Sequence, residues 1–518
     1  KVNHLYENKM WQKTRHFYLI VFVCSEILAH GIPPADSLPA KPPSSDTLDV
    51  TLQDAILFGL ENNPTVTIER LTPQRVQTFA QESRAQFDPV LRVTGQRSQV
   101  KSLRRLGTQR IPVDLYDNRF DYSVEVSEKL PTGTTITAGA GITGSVSSLY
   151  TDQFAGGFDL TITQSLLRGN GTAANLATLR KARLDVEMSR HELKGIAENT
   201  VADIEKAYWN LYLAGKETAI QQKSLDLAEQ QLHESLERVA VGKLPELELA
   251  AVDAEVAARK IDLIDAKSQY EQTRLRFLYL MNPQTESFWS THIIPRDVPF
   301  LPEDTLAAVA VHDSLGLLYR ADVQQARLVL EKGELDIART RNGLLPQLDL
   351  FIALGRTSYS ETFGPASYPD LSSPFYQAVA GINFTLPVPN RAASARLNRA
   401  KYSQEQQNLA MDNMIKLVQW DIRSGYAEIL RARQQIEATR VTRELQEKRL
   451  DAELEKFRVG KSINYLVLQA QRDYTASQLN EARALVAYLN ALIDLYVAEG
   501  TLLERRGINS FAGAIKSK

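Results

Sequence analysis

Few residues of this 518-residue chain could do chemistry, and their spacing argues against catalysis. The seven histidines fall in no HExxH or other metal-ligand arrangement, and no P-loop is present to hydrolyse ATP. The five methionines form no pairs that would suggest a relay for copper or silver. A single cysteine, Cys24, excludes a disulfide framework. Carboxylates are abundant, but they sit on helical faces where salt-bridging is the default. No enzyme activity, cofactor or resident metal is expected. The formal net charge of -2 gives no bulk attraction to nucleic acid.

What remains is a repeated interruption. Val-Gly-Lys occurs at 241–243 and again at 459–461, a separation of 218, and each copy breaks a long helical pattern. At the same offset Asp203 matches Asp421, Ile204 matches Ile422 and Tyr208 matches Tyr426. Leu232 and Leu236 match Leu450 and Leu454, and Tyr270 matches Tyr488, with no gap from about 203 to 270. The chain is therefore read as an internal duplication.

Earlier segments pair at other offsets. Ala85–Gln96 matches Gly343–Gly355 at a shift of 257, and Gly156–Leu167 matches Ala378–Val388 at 222. The falling shift gives the first half 35 more residues between its strands. Each half reads helix, strand, loop, strand, long helix, break, helix. Val201, Ile204, Tyr208 and Leu211 step by three, four and three, as do Ile422, Tyr426 and Ile429 in part, a coiled-coil-like spacing. From Thr172 to Ala240 no proline intervenes, giving roughly 100 Å of helix, the length of a strut or a stave.

The strands alternate. Leu91 and Val93, Leu160 and Ile162, Ile382 and Phe384 are each separated by polar residues. One apolar and one polar face suit lipid on one side and water on the other, and equally suit a sandwich with one solvated face. Only four strands recur in the two halves, too few to close a barrel, for which about eight is the practical minimum. A membrane reading therefore demands an oligomer that pools strands. After residue 31 no apolar run reaches 18 residues, so a spanning segment would have to be β-strand.

The beginning of the chain has its own pattern. Lys13 and Arg15, the apolar run Phe17–Cys24 and Ala29-His30-Gly31 follow the order of a secretory signal, read over 1–31. A buried N-terminal helix is the competing reading. Val21-Phe22-Val23 is too bulky for the usual residues before a lipidated cysteine, which disfavours lipidation at Cys24. A Pro-rich leader follows over 32–50. The expected division continues with a first repeat at 51–282, a linker or equatorial region at 283–315, a second repeat at 316–500 and a polar tail at 501–518.

The order of these segments resembles the TolC-type outer-membrane efflux proteins of Gram-negative bacteria. "TLQDAILFGLENNP" (51–64) is similar to their first-helix signature. "LLPQLDLFIALG" is similar to the start of a barrel strand, and "FRVGKSINYLVLQAQRDYTASQLNEARALVAYLNALIDLY" to the end of their second repeat. The resemblance covers nearly all of 51–500.

It implies a mixed α and β membrane protein that assembles as a homotrimer. A 12-stranded β-barrel, four strands per chain, would be continued by a periplasmic α-helical barrel with an equatorial collar. It implies an exit duct for tripartite efflux or type I secretion, working with a periplasmic adaptor (membrane fusion) protein, an inner-membrane transporter and outer-membrane lipid. Val241, Gly242, Lys243 and Leu244, with Val459, Gly460, Lys461 and Ser462, would form the turns that dock the adaptor. Glu248, Leu466 and Gln469 would line the periplasmic aperture. Relatives place two acids where Leu466 and Gln469 stand, so an acid-lined, cation-binding gate is in doubt here. Closure by packing and hydrogen bonding is the alternative. An exposed helix carboxylate is the plainer reading of Glu248.

Two features lie outside the resemblance. "YSVEVSEKLPTGTTITAGAGITG" (122–144) reads as an added hairpin, either extending the barrel strands outward or lying as an extracellular cap. Lys101, Arg104, Arg105 and Arg110 could meet lipopolysaccharide phosphates or form a solvated basic loop. The alternative to a duct is a periplasmic coiled-coil scaffold with no pore.

Overall fold

The computed structural model describes residues 47–104, 113–148, 151–283, 288–301, 306–366 and 372–508. The expected signal, Cys24, most of the leader, Arg105 and Arg110 lie outside them. In chain order, the first half runs β1 (Thr47–Val50), α1 (Leu52–Asn62), α2 (Thr72–Ala85), β2 (Val90–Arg104), β3 (Val113–Lys129), β4 (Thr134–Ser147) and β5 (Gln153–Ser165). It ends with α3 (Ala177–Ala240) and α4 (Leu249–Met281). The second half runs β6 (His292–Pro295), α5 (Val309–Tyr319), α6 (Ala321–Asn342), β7 (Gln347–Ser360), β8 (Tyr376–Thr385), α7 (Arg391–Arg458), α8 (Asn464–Glu499) and α9 (Leu502–Arg505).

The duplication is visible in the packing. Helix α3 has 64 residues and α7 has 68, each about 100 Å long. Val201, Ile204, Tyr208 and Leu211 are all fully buried, as the three-four-three step requires, and Ile422 and Ile429 bury the matching face of α7. Each half docks its first short helix by a glycine. A Cβ on Gly59 would lie 2.2 Å from Ile204 Cδ1, and one on Gly316 would lie 2.4 Å from Ile422 Cδ1. Ile204 and Ile422 are themselves repeat mates, so one close approach is built twice.

On the sheet side, α2, α3, α6 and α7 pack in that order; towards the breaks the order is α4, α3, α8 and α7. The linker closes the waist. β6 pairs in parallel with β1, and the buried Tyr208 hydroxyl donates to the Val50 carbonyl at 3.2 Å and accepts from the Asp297 N–H at 3.0 Å. The tail expected to be polar is not polar at its start. Leu502 and Leu503 of α9 are buried in the same core, because Arg505 and Arg506 neutralise the buried carboxylates Glu499 and Glu205 beside them.

The sheet departs from the four strands that the resemblance implies. It has six, in the order β2-β3-β4-β5-β7-β8, all antiparallel, and it is open in the single chain. The added hairpin neither lengthens the other strands nor caps them. It is β3 and β4, hydrogen-bonded along their length between β2 and β5. The reason is in the pattern: β3 has 17 residues and β4 has 14, alternating over Tyr122–Val126 and Ile136–Ile142, so each is as long as its neighbours.

Candidate functional site

Two places answer to the expected site: the helix breaks and the sheet. The breaks close as two copies of one motif. At the first, the N–H of Gly242 donates to the Val239 carbonyl at 2.9 Å and that of Lys243 to Arg238 at 2.8 Å. At the second, Gly460 donates to Phe457 at 3.1 Å and Lys461 to Lys456 at 2.8 Å. Both are Schellman caps, and both need a left-handed residue, which glycine supplies at φ of 73° and 75°.

Around the caps the surface exposes apolar residues among charges of both signs, Glu246 as well as the two lysines. Val241 and Val459 are each 66% exposed, Leu247 is 87% exposed, and Ile463 and Tyr465 are exposed beside them. Leu244 is half-buried. Lys243 and Lys461 are exposed and form no ion pair among the described residues. Ser462 acts locally, its hydroxyl donating to Glu453 at 2.8 Å, and Lys456 donates to the same carboxylate at 2.6 Å. Those two bonds hold the Glu453 carboxyl below its ordinary range.

Glu248 ends a single 3-10 turn before α4, half-buried, with no ion pair among the described residues. Leu466 and Gln469 lie one turn apart at the start of α8, Leu466 38% exposed and Gln469 half-buried.

The sequence reading missed the contact that joins the two breaks. Between the halves, α3 meets α8 towards the breaks through polar side chains. Gln231 donates to Asn464 at 2.9 Å, Asn464 lies 3.4 Å from Ser235, and Thr475 lies 3.3 Å from Ser224, all five buried. Further along, Arg483 pairs with Glu217 at 2.6 Å, and Lys206 pairs with Asp494. At the tip, Arg238 lies over the Phe457 ring at 4.1 Å and donates to its carbonyl at 3.1 Å. By contrast, the α3–α4 pair inside one half packs Leu225, Ala228, Val256 and Leu263. A signal was present: Ser224, Gln231 and Ser235 step by seven and four, the spacing of one helix face. Reading only apolar positions passed over it.

One further acid stands out near the waist. Glu198 is buried on α3, and burial pushes its carboxyl up to about 7, although Lys194 at 3.6 Å pulls the other way. It borders a cavity of about 510 Å³ with Arg320, Asp322, Trp420 and Asp494.

In the sheet, register assigns every side chain to a face. One row crosses all six strands as Leu91, Val126, Ala138, Leu160, Leu354 and Ala378. The adjacent row on the other face reads Arg92, Glu125, Gly139, Asp159, Gly355 and Gln377. Such a sheet can face hydrocarbon on one side and water on the other. No described helix is long and apolar enough to cross a membrane. Lys101 is paired with Asp114 at 3.1 Å within β2 and β3, which accounts for one charge of the expected basic loop.

The architecture is a duplicated unit of alternating strands and staves about 100 Å long, and known outer-membrane channels share it. The comparisons agree. The family model described as outer membrane efflux protein matches residues 314–501. The outer membrane efflux protein BepC of Brucella suis is 22% identical over 350 residues, covering 67% of this chain and 71% of that protein. The pyoverdine export outer membrane protein OpmQ of Pseudomonas putida is 24% identical over 345 residues, covering 63% and 65%. The outer membrane channel CmeC of Campylobacter jejuni superposes with a TM-score of 0.66 at 16% identity, covering 90% of this chain and 88% of that one. Residues 314–501 thus match the outer membrane efflux protein family, and the chain shares its fold with solved outer-membrane channels.

Proposed function

We propose that this chain is the outer-membrane exit duct of a tripartite efflux or secretion system. It conducts cargo passively from an inner-membrane transporter and a periplasmic adaptor to the exterior, with its helical part in the periplasm. It performs no chemistry of its own; the transporter supplies the energy.

The observation that carries this reading is the pair of unfinished sides. Strands β2 and β8 are the sheet's edges, and both leave a row of backbone groups unpaired. The helices that continue from them are unfinished too. Tyr402, Leu409, Trp420 and Leu445 are exposed on α7, and Phe79 is exposed on α2, with Ile261 and Tyr279 on α4. Exposed apolar surface on this scale marks a partner surface. β2 and β8 run in opposite directions, so the second edge of one chain can pair antiparallel with the first edge of the next. That is a heterologous contact, which closes as a ring. Three copies give 12 staves from four helices abreast, and the pooled strands close the barrel.

The breaks at 241–244 and 459–462 then form six turns around the ring, a surface for the tips of a hexameric adaptor. Val241, Leu247, Val459 and Ile463 offer apolar anchors, and Lys243 and Lys461 offer cations. Glu248, Leu466 and Gln469 lie next to these turns and line the aperture, which closes by packing and hydrogen bonding. Opening shifts the α7–α8 pair over α3, across the polar contacts rather than the apolar ones.

The test is outer-membrane fractionation of the expressed chain with chemical crosslinking. A trimer in the outer-membrane fraction supports the duct. A soluble periplasmic monomer supports a pore-free scaffold and overturns it.

A further inference from the structure

We infer that the barrel of this duct has 18 strands rather than 12, and that the hairpin β3–β4 is part of its wall. This rests on the trimeric reading above and adds the bore to it.

Three observations carry the inference. The first is register. The hairpin continues both faces of the sheet without a slip: Val124, Val126, Ala138 and Ala140 lie on the apolar face, and Ser123, Glu125, Gly139 and Gly141 on the other. A flap outside the membrane would have no cause to keep an apolar row running through it. Register is specified most strongly where one face meets an apolar medium.

The second is the turn. Residues Leu130–Gly133 reverse the chain at the helix end of the sheet and are built into the junction. The Gly171 N–H donates to the Thr132 carbonyl and the Ser165 N–H to that of Gly133, both at 3.1 Å. The Asn175 amide donates to Pro131, Gly169 and Gly171 carbonyls at 3.1, 2.7 and 3.1 Å. Gly133 has a φ of 91°, and a Cβ there would lie 2.1 Å from the Gly169 carbonyl oxygen. The turn is wedged between the end of β5 and the helix that follows. It is not a free tip.

The third is perimeter. Twelve staves at 8–10 Å spacing enclose about 96–120 Å. Strands about 4.8 Å apart and tilted about 40° each occupy about 6.3 Å of circumference. Eighteen strands then give about 113 Å and 12 give about 75 Å. Six strands per chain give a wall about as long as the perimeter of the helical ring. The bore at the membrane is about half as wide again as a 12-stranded one. Its wall carries both signs of charge, including Arg92, Glu125, Arg119 and Asp159. Among the described residues the wall offers no constriction at the outer membrane. Cargo size is set at the helical end, and bulky hydrated solutes pass the mouth.

The test is electron cryomicroscopy of the full chain in lipid nanodiscs, with cysteine labelling in outer membranes as a second measurement. Three copies with 18 strands are expected. Three copies with 12, β2 lying directly on β5, overturn the inference and leave the duct standing. A different copy number overturns the trimeric reading itself. In a Cys24→Ser background, Ser123→Cys and Thr143→Cys should react with a water-soluble maleimide at least tenfold faster than Val124→Cys and Ala140→Cys. Equal rates at all four would place the hairpin outside the wall and overturn the inference.

Discussion

The two halves of the chain agree at one end and disagree at the other. At the helix breaks they are copies down to the atoms that donate. At the membrane the first half has four strands and the second has two. On the proposed trimer, that agreement would present one surface six times to a partner that is itself repeated. The disagreement shows what a barrel tolerates. A closed sheet accepts another antiparallel hairpin wherever the alternation and the end-to-end direction are kept, because an even insertion leaves both flanking strands pointing as before. The family model matches 314–501, the half without the insertion.

The largest effect is expected where that difference is anchored. Gly133→Val puts a branched side chain at a left-handed φ and against the Gly169 carbonyl. Strain there costs about 3 kcal/mol or more. Trimer recovered from the outer membrane, read on an unheated gel, should fall severalfold. A variant that assembles normally would show that the turn is not wedged. The second half has no counterpart to mutate, since β7 and β8 are joined at the opposite end.

Much of this was legible in the residues, and the limits were physical. The helices were readable because three-four steps of apolar residues persist for many turns, and the breaks because glycine is scarce within them. The extra strands were readable as strands. Their place was not, since alternation gives a face but not a neighbour. Pairing depends on contacts between residues far apart in the chain, such as Leu160 with Leu354. The α3–α8 contacts were hidden for a related reason: a buried serine or glutamine looks like a surface residue until its partner is known.

A second test compares a position that the duplication did not copy. Glu198 is buried, while its mate at the 218 offset is Lys416, which is exposed. Burial holds the Glu198 carboxyl at about 7, above the ordinary 4.5, with Lys194 opposing it and Glu504 and Asp322 adding to it. The folded chain therefore binds this proton more tightly than the unfolded chain does. The stability it contributes is complete below about pH 4.5 and is lost as pH rises through about 7, by up to about 3 kcal/mol. Glu198→Gln should flatten that slope, so that thermal unfolding of the variant changes less than wild type between pH 5 and 8. An unchanged slope would mean that the carboxyl is not held protonated.

The polar contact between the halves offers a subtler contrast. Gln231→Leu alone leaves the buried Asn464 amide without its donor and should cost about 1–3 kcal/mol. Gln231→Leu with Asn464→Leu removes both partners of that bond and should recover part of the loss, the remainder lying with buried Ser235, which loses its contact with Asn464. If the contact is the surface over which α7 and α8 shift, the double variant should still slow export, because apolar packing resists sliding more than exchangeable hydrogen bonds do. Normal export by the double variant would assign opening to another surface.

The smallest stability effects belong to the breaks, and there the comparison is sharpest. Gly242→Ala and Gly460→Ala each force an L-residue to a φ near 75°, at about 1 kcal/mol apiece. Nothing lies within 4 Å of either added methyl, so the two costs should be equal. Unequal costs in thermal unfolding would show that the two caps are not the same motif. Equal costs leave open whether the surface does more than cap, and Val241→Asp and Val459→Asp answer that. Both side chains are mostly in solvent, so a charge there should move stability by less than about 0.5 kcal/mol. A docking surface would still lose its apolar anchor. The expected result is unaltered unfolding with weakened capture of the adaptor, deeper in the double variant than in either single one. Capture that tracks stability alone would reduce the duplicated tripeptide to a pair of helix ends.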